Sequence, residues 1–219
     1  MNEQVQEPRT SEEGVQPRSL AEALEIMPAA AARRLRLARL AGWHGLVWLG
    51  ALGLFDAADS WVLLSGLGLA SLLAVVTGAL AGITTTTLIH EWFHLLGARF
   101  AGAAYAIPDR AGLFVYDWDF DANDSRQFMT MSIAGSVGGA LSLLLVWAVL
   151  PADTLGRAAL YGGTVAGFVF AAIVEWPVLS RVRAGGEPLT ELSKINERVL
   201  TRAFLGAAGA GLLTLLLLS

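Results

Sequence analysis

Five long apolar segments, at roughly 35–55, 61–99, 128–150, 158–179 and 199–218, constrain this chain more than any other feature. A helix needs about 20 apolar residues to cross a bilayer, so the last three segments fit one span each. No soluble fold buries so many uninterrupted runs in a chain of 219 residues of which 55% are hydrophobic and 16% charged. The mean hydropathy of +0.57 agrees. The expected fold class is therefore an all-α integral membrane protein, a polytopic bundle of five or six transmembrane helices. The second segment is too long for one straight span: at about 1.5 Å per residue it would run about 60 Å. Either 61–99 is one long, tilted or kinked helix, or it divides around Gly78–Gly82. In the second case 41–55, with Trp43 and Trp48, is a re-entrant or interfacial piece.

Ahead of the spans, residues 1–32 read as a flexible, solvated tail, and residues 33–219 as the membrane domain. Glu3, Glu7, Glu12, Glu13, Glu22 and Glu25 outweigh Arg9 and Arg18 there. Ser19 and Glu22 make a capping box for one short helix over 19–27. No basic segment precedes a short apolar core, so no cleaved signal peptide is expected. A net charge of −4 argues against a nucleic-acid partner, and the absence of cysteine removes disulfide and thiolate chemistry. Arginine and lysine set the orientation. Arg33, Arg34, Arg36 and Arg39 open the first segment. Arg99, Arg110 and Arg126 follow the second, and Arg181, Arg183, Lys194 and Arg198 precede the last. With all three groups cytoplasmic, only Arg157 falls in an outer loop. The N-terminus then faces the cytoplasm, in the inner (cytoplasmic) membrane of a bacterium, and the helix bearing His90 descends to Arg99.

Between Asp59 and His90 there is no ionisable side chain; then comes His90-Glu91-Trp92-Phe93-His94. On a helix, positions i and i+4 share a face, so both imidazoles can reach one metal ion. Glu91 is placed to act on a water at that ion without ligating it, the pattern of a zinc hydrolase. Burying three ionisable groups in hydrocarbon costs about 2.5–3.5 kcal/mol each on insertion scales, which points to function rather than chance. The bland counterpart is a structural hydrogen-bond network. Thr86 and Thr87 lie one turn back and would keep the approach polar. Gly135/Gly139 and Gly163/Gly167 are small-residue contacts that let helices approach closely. His44, between Trp43 and Trp48, reads as an interfacial histidine, with an axial ligand to a haem or pigment as its rival. Residues 185–200 read as a turn leading into the amphipathic start of the last helix, capped by Thr190.

The stretch "HEWFHLLGARFAG" resembles the first motif of the site-2 protease family of intramembrane zinc metalloproteases, with Ala98, Arg99 and Gly102 at the family's offsets. Family members follow it with an extended, membrane-associated cytoplasmic loop. Here Phe114, Tyr116, Trp118 and Phe120 alternate with Val115, Asp117, Asp119 and Asp121, the period of a strand. The segment "SRQFMTMSIAGSVGGALSLLL" takes the place of the family's second motif, with Ser136 at its proline and Gly139 at its asparagine. "VEWPVLSR" takes the place of the third, with Glu175 standing for the ligating aspartate. The resemblance covers about 85–180. It implies a zinc site of His90, His94 and Glu175 with Glu91 as general base. It also implies hydrolysis of a membrane-bound peptide substrate near the cytoplasmic face. Glu175 as a snorkelling carboxylate, and Asp117, Asp119, Asp121 and Asp124 as other sources of the third ligand, stay open. A second reading keeps the fold without the proteolysis, as an inactive subunit or scaffold of a larger membrane complex.

Overall fold

The structure, a computed structural model, describes residues 28–219. The expected helix over 19–27 and most of the acidic tail lie outside the described residues. Five helices are long and apolar enough to cross a membrane. They are α1 (Ala29–Ser65), α2 (Gly68–Phe100), α3 (Ser125–Val149), α4 (Leu155–Arg183) and α6 (Glu197–Leu218). A short α5 (Pro188–Leu192) lies between α4 and α6. The chain is an all-α polytopic membrane bundle.

The ambiguity over 35–99 resolves to two long helices. Helix α1 already begins at Ala29, inside the stretch read as tail, and runs straight through 41–55, so no re-entrant piece exists there. The break falls at Gly66, not at Gly78–Gly82. Gly66 adopts φ 63°, the left-handed conformation open to glycine, and its N–H closes the end of α1 on the Val62 carbonyl. At about 1.5 Å per residue, α1 and α2 are about 55 and 50 Å long. Both exceed the roughly 30 Å hydrocarbon core and extend beyond it or tilt.

Gly78 and Gly82 instead form a packing seam. A Cβ at Gly78 would strike the Gly156 carbonyl, and one at Gly82 the Leu160 carbonyl. From the other side, a Cβ at Gly163 would strike the Ala79 carbonyl. Helices α2 and α4 therefore meet backbone to backbone at the centre of the bundle, as small residues permit in a membrane. Helix α3 packs mainly on α2, while α1 covers α2 and α6 covers α4 from the outside. The lipid-facing sides carry exposed apolar residues such as Leu49, Leu54, Leu64, Trp147 and Leu217.

With five antiparallel spans, the start of α1, the end of α2, the start of α3, the end of α4 and the start of α6 share one end of the bundle. Every basic residue of the described chain except Arg157 lies within about three turns of that end. At the opposite end Asp59 of α1 is buried. It accepts from Arg157 Nε at 2.9 Å and from Thr154 Oγ1 at 2.7 Å, tying α1 to the head of α4.

The segment between α2 and α3 was expected to be a strand over its aromatic alternation. Only Tyr105–Ala106 (β1) and Asp117–Trp118 (β2) pair, antiparallel and two residues each. The acidic residues serve loop geometry instead. Asp119 Oδ1 accepts from the backbone of Asp121 and Ala122, and Asp124 forms a capping box with Gln127 at the head of α3. The alternation still has a physical meaning. Val115 is fully buried against Leu40, Leu95 and Ile107, while the aromatic positions turn the other way, towards the site described next. Thr190 does not cap the last helix: it sits in α5, capped by Glu187, and Asn196 caps α6.

Candidate metal centre

His90 and His94 project from one face of α2 and are 4% and 7% exposed. Their Nε2 atoms lie 2.9 Å apart. Glu175 reaches them from α4, its Oε1 at 2.8 Å from His90 Nε2 and 3.3 Å from His94 Nε2. Three potential ligand atoms from two helices thus converge on one point. The depth match was legible in the numbering: His94 precedes Arg99 by five residues and Glu175 precedes Arg181 by six. Pro177, two residues on, supplies no N–H to the Ile173 carbonyl, which loosens α4 at the level of the site.

The protonation pattern follows from the partners. His94 Nδ1 is 3.0 Å from the Met131 carbonyl of α3. A carbonyl only accepts, so Nδ1 carries the hydrogen, and neutral His94 presents a lone pair at Nε2. This backbone bond is the kind of outer contact that orients ligating histidines. Glu175 Oε1 is a second acceptor at the same point. A neutral His90 can offer only one proton, from Nε2, to serve both. Meanwhile His90 Nδ1 and Glu175 Oε2 are buried without any partner. Buried polar atoms are almost always satisfied. The lone pairs of His94 Nε2 and Glu175 Oε1, which face one point beside His90 Nε2 in a buried site, are what a cation satisfies.

The chemistry of the donors fits a zinc-like ion: two imidazole nitrogens and a carboxylate oxygen, at separations close to the roughly 3.3–3.4 Å edges of a tetrahedron with bonds of about 2.0–2.1 Å. His90, Glu91 and His94 form a buried group that could hold a metal ion, with one ligand atom of each within 4.8 Å of the others. Glu91 follows His90 directly, so its carboxylate leaves α2 beside the imidazole pair. Glu175 approaches from the facing helix and completes the triangle. Glu91 lines a cavity of about 440 Å³ beside them.

That cavity shows what the aromatic alternation is for. Phe114, Tyr116, Trp118 and Phe120 all line it, across from Glu91, His94 and Glu175. Tyr116 donates to Met131 Sδ at 2.8 Å. Burial, reinforced by the Glu91 and Glu175 carboxylates, pushes its phenol up, so it stays protonated and a donor at neutral pH. Glycines of α3 make room for the metal-site helix. A Cβ at Gly135 would fall on the His94 ring, one at Gly138 on Phe93, and one at Gly139 on Phe168 and 3.7 Å from His90 Nδ1. Ser136 accepts from the Trp176 indole at 3.2 Å, beside Glu175.

Other expectations change. Thr86 does not line a hydrated approach: it is buried and donates to the Thr164 carbonyl, at 3.0 Å. His44 is not interfacial but buried, and both its ring nitrogens are used. Nε2 donates to the Gly112 carbonyl at 2.7 Å, and Nδ1 accepts from Trp92 Nε1 at 3.0 Å. No nitrogen remains to ligate a haem or pigment. Trp92, inside the motif, thus anchors α1 and the loop to α2 on the side away from the metal site. Nothing in the sequence pointed to the Met131 carbonyl, because backbone acceptors leave no residue signal. The period-two aromatics could have marked Tyr116.

Fold and site together define a polytopic membrane protein with two histidines and a carboxylate converging inside the bundle. No family model, curated protein or solved structure matches the chain.

Proposed function

We propose that this protein is an intramembrane zinc metalloprotease-like hydrolase. His90, His94 and Glu175 hold zinc, Glu91 is the general base, and the substrate is a membrane-bound peptide that reaches the cavity near the basic end of the bundle. By the bias of arginine towards the cytoplasm, that end is cytoplasmic. The observation that carries the reading is the convergence of three lone-pair donors from α2 and α4, with a second carboxylate, Glu91, beside them. Zinc held there would supply a Lewis acid for the scissile carbonyl. The chain's own residues do the rest. Met131 fixes the His94 ring through its carbonyl. Glu91 takes a proton from the attacking water and returns it to the leaving amine. The aromatic wall of Phe114, Tyr116, Trp118 and Phe120 excludes bulk water, and Tyr116, whose O–H donates to Met131 Sδ, keeps its oxygen lone pairs to accept from an N–H of the bound peptide.

The test is metal content followed by turnover. Elemental analysis of purified protein should find about one zinc per chain. Changing both His90 and His94 to Ala should remove it, and Glu175→Gln should weaken it. Glu91→Gln should keep the zinc and abolish cleavage of transmembrane peptides in micelles. Zinc retained in the double histidine variant would refute the site. An ion-paired His94–Glu175 network without metal would show as zinc-free protein with parent stability. Zinc without cleavage of any membrane peptide would favour the reading as a non-proteolytic subunit. The specific observation behind that second reading is Gly139, which offers no side chain beside His90.

A further inference from the structure

The bundle has a second built cavity at its basic end, on the opposite side of α2 from the Glu175 helix. It measures about 530 Å³ and lies between the start of α1 and the end of α2. Arg33, Arg34 and Arg99 line it, and no acidic residue does. Three other basic residues at this end are already neutralised. Arg36 pairs with Asp109 at 2.9 Å, and Arg181 and Lys194 pair with Glu191. Arg33, Arg34 and Arg99 have no acidic partner among the described residues. Arg33 is nevertheless held in place, its guanidinium 4.5 Å from the centre of the Tyr105 ring. A cation–π contact of that kind fixes the side chain while leaving its N–H groups free to bind an anion. Arg99 stands in the last turn of α2.

The same two helices carry an apolar cavity next along, deeper in the span. It measures about 420 Å³, and Trp48 and Leu88 are among its lining residues. On α1 the lining positions continue at helical spacing from 30, 33, 34 and 37 in the first cavity to 41, 44, 45 and 48 in the second. One crevice face is therefore cationic where the helix leaves the membrane and apolar where it lies within it. A soluble anion would use only the first part. An amphiphile uses both.

We propose that this crevice binds one anionic phospholipid, its phosphate held by Arg33, Arg34 and Arg99 and an acyl chain lying in the apolar cavity. The site is independent of the metal centre, and of whether the protein is a protease. Basic groups at a membrane surface each contribute about 1 kcal/mol to binding anionic lipid, so neutralising two of them weakens binding about 30-fold.

Full-length protein in detergent should be titrated with phosphatidylglycerol, phosphatidylcholine, glycerol phosphate or inorganic phosphate, with bound lipid read by native mass spectrometry. Phosphatidylglycerol should bind one per chain and survive activation, phosphatidylcholine should not, and the two soluble phosphates should not compete at millimolar concentration. The Arg34→Gln/Arg99→Gln double variant should lose about 30-fold in affinity. Arg110→Gln and Arg126→Gln, outside the cavity, should match the parent. Ala30→Glu, which places a carboxylate at the rim without touching the core, gives the same loss if the double variant does not fold. Equal retention of phosphatidylcholine, competition by inorganic phosphate, or equal losses in the Arg110 and Arg126 variants would each overturn the proposal.

Discussion

Replacing Gly135 by alanine tests how tightly the metal-site histidine is clamped. The new Cβ would coincide with the His94 imidazole, its nearest atoms being Cε1, Nε2 and Nδ1. The ring has no room to yield. Its Nδ1 is tied to the Met131 carbonyl at 3.0 Å, and its Nε2 faces His90 and Glu175. Either the ring swings out or α3 withdraws, and both break the Met131 bond. Overpacking of this kind costs about 1–3 kcal/mol. Gly53→Ala is the reference, because nothing lies within 4 Å of a Cβ there. In a helix interior that change gains about 0.5–1 kcal/mol. Gly135→Ala carries the same gain, so the two variants should differ by the overpacking alone, about 1–3 kcal/mol in thermal unfolding in detergent. Losing the outer contact to a ligating histidine costs about 10–100-fold in metal affinity. A zinc titration against a competing chelator should show that loss for Gly135→Ala and none for Gly53→Ala. Gly138→Ala separates the two effects. It collides with Phe93, which does not touch the metal atoms, so it should lose stability but keep zinc affinity. Parent-like zinc affinity in Gly135→Ala would refute the clamp.

Asp59→Asn removes the buried carboxylate of Arg157 at the far end of the bundle and leaves it only the exposed Asp153. The loss should be about 2–4 kcal/mol, below that of a fully buried pair because the Arg157 side chain keeps 22% exposure, measured by thermal unfolding. Trp92→Phe strands His44 Nδ1 and should cost about 1–3 kcal/mol while leaving zinc content unchanged, since the indole points away from the site. Glu191, in α5, is held below the ordinary carboxylate range by Lys194 and then by Arg181, against its burial. A depressed folded value means its contribution is complete above the unfolded carboxylate pKa of about 4.3 and is lost as pH falls through the folded one. Parent and Glu191→Gln melting curves should therefore converge on acidification below about pH 4 and separate again near neutrality. A constant gap would contradict the assignment.

The helices were legible because bilayer insertion leaves long apolar runs, and the two histidines because helical spacing puts i and i+4 on one face. The number of spans was not legible, for a physical reason. Gly78 and Gly82 look like breakers in sequence, yet they are the residues that let α4 approach α2 within backbone contact. A membrane helix tolerates glycine because its hydrogen bonds have no competing solvent. In such a segment glycine reports packing before it reports turns. Gly66 makes the real turn, by adopting a left-handed conformation that the sequence does not advertise.

The aromatic alternation after α2 carries the same lesson to the site. Period two was a correct reading of which side chains share a face, and an incorrect reading of what the backbone does. Only Asp117 and Trp118 of that stretch pair with another strand. The rest is held by side chains, with Val115 buried under α1 and α2 and Tyr116 bonded to Met131 Sδ. Met131 is therefore shared. Its sulfur takes the loop's phenol and its carbonyl takes the His94 imidazole, so the cavity wall and the metal-site ring are fixed by one residue of α3. Gly135, one turn further along α3, gives that ring its space. The segment "SRQFMTMSIAGSVGGALSLLL" carries no ligand of its own. It acts as a template that sets the His94 tautomer, packs the ring and holds the wall, while the donor triangle comes from α2 and α4 alone.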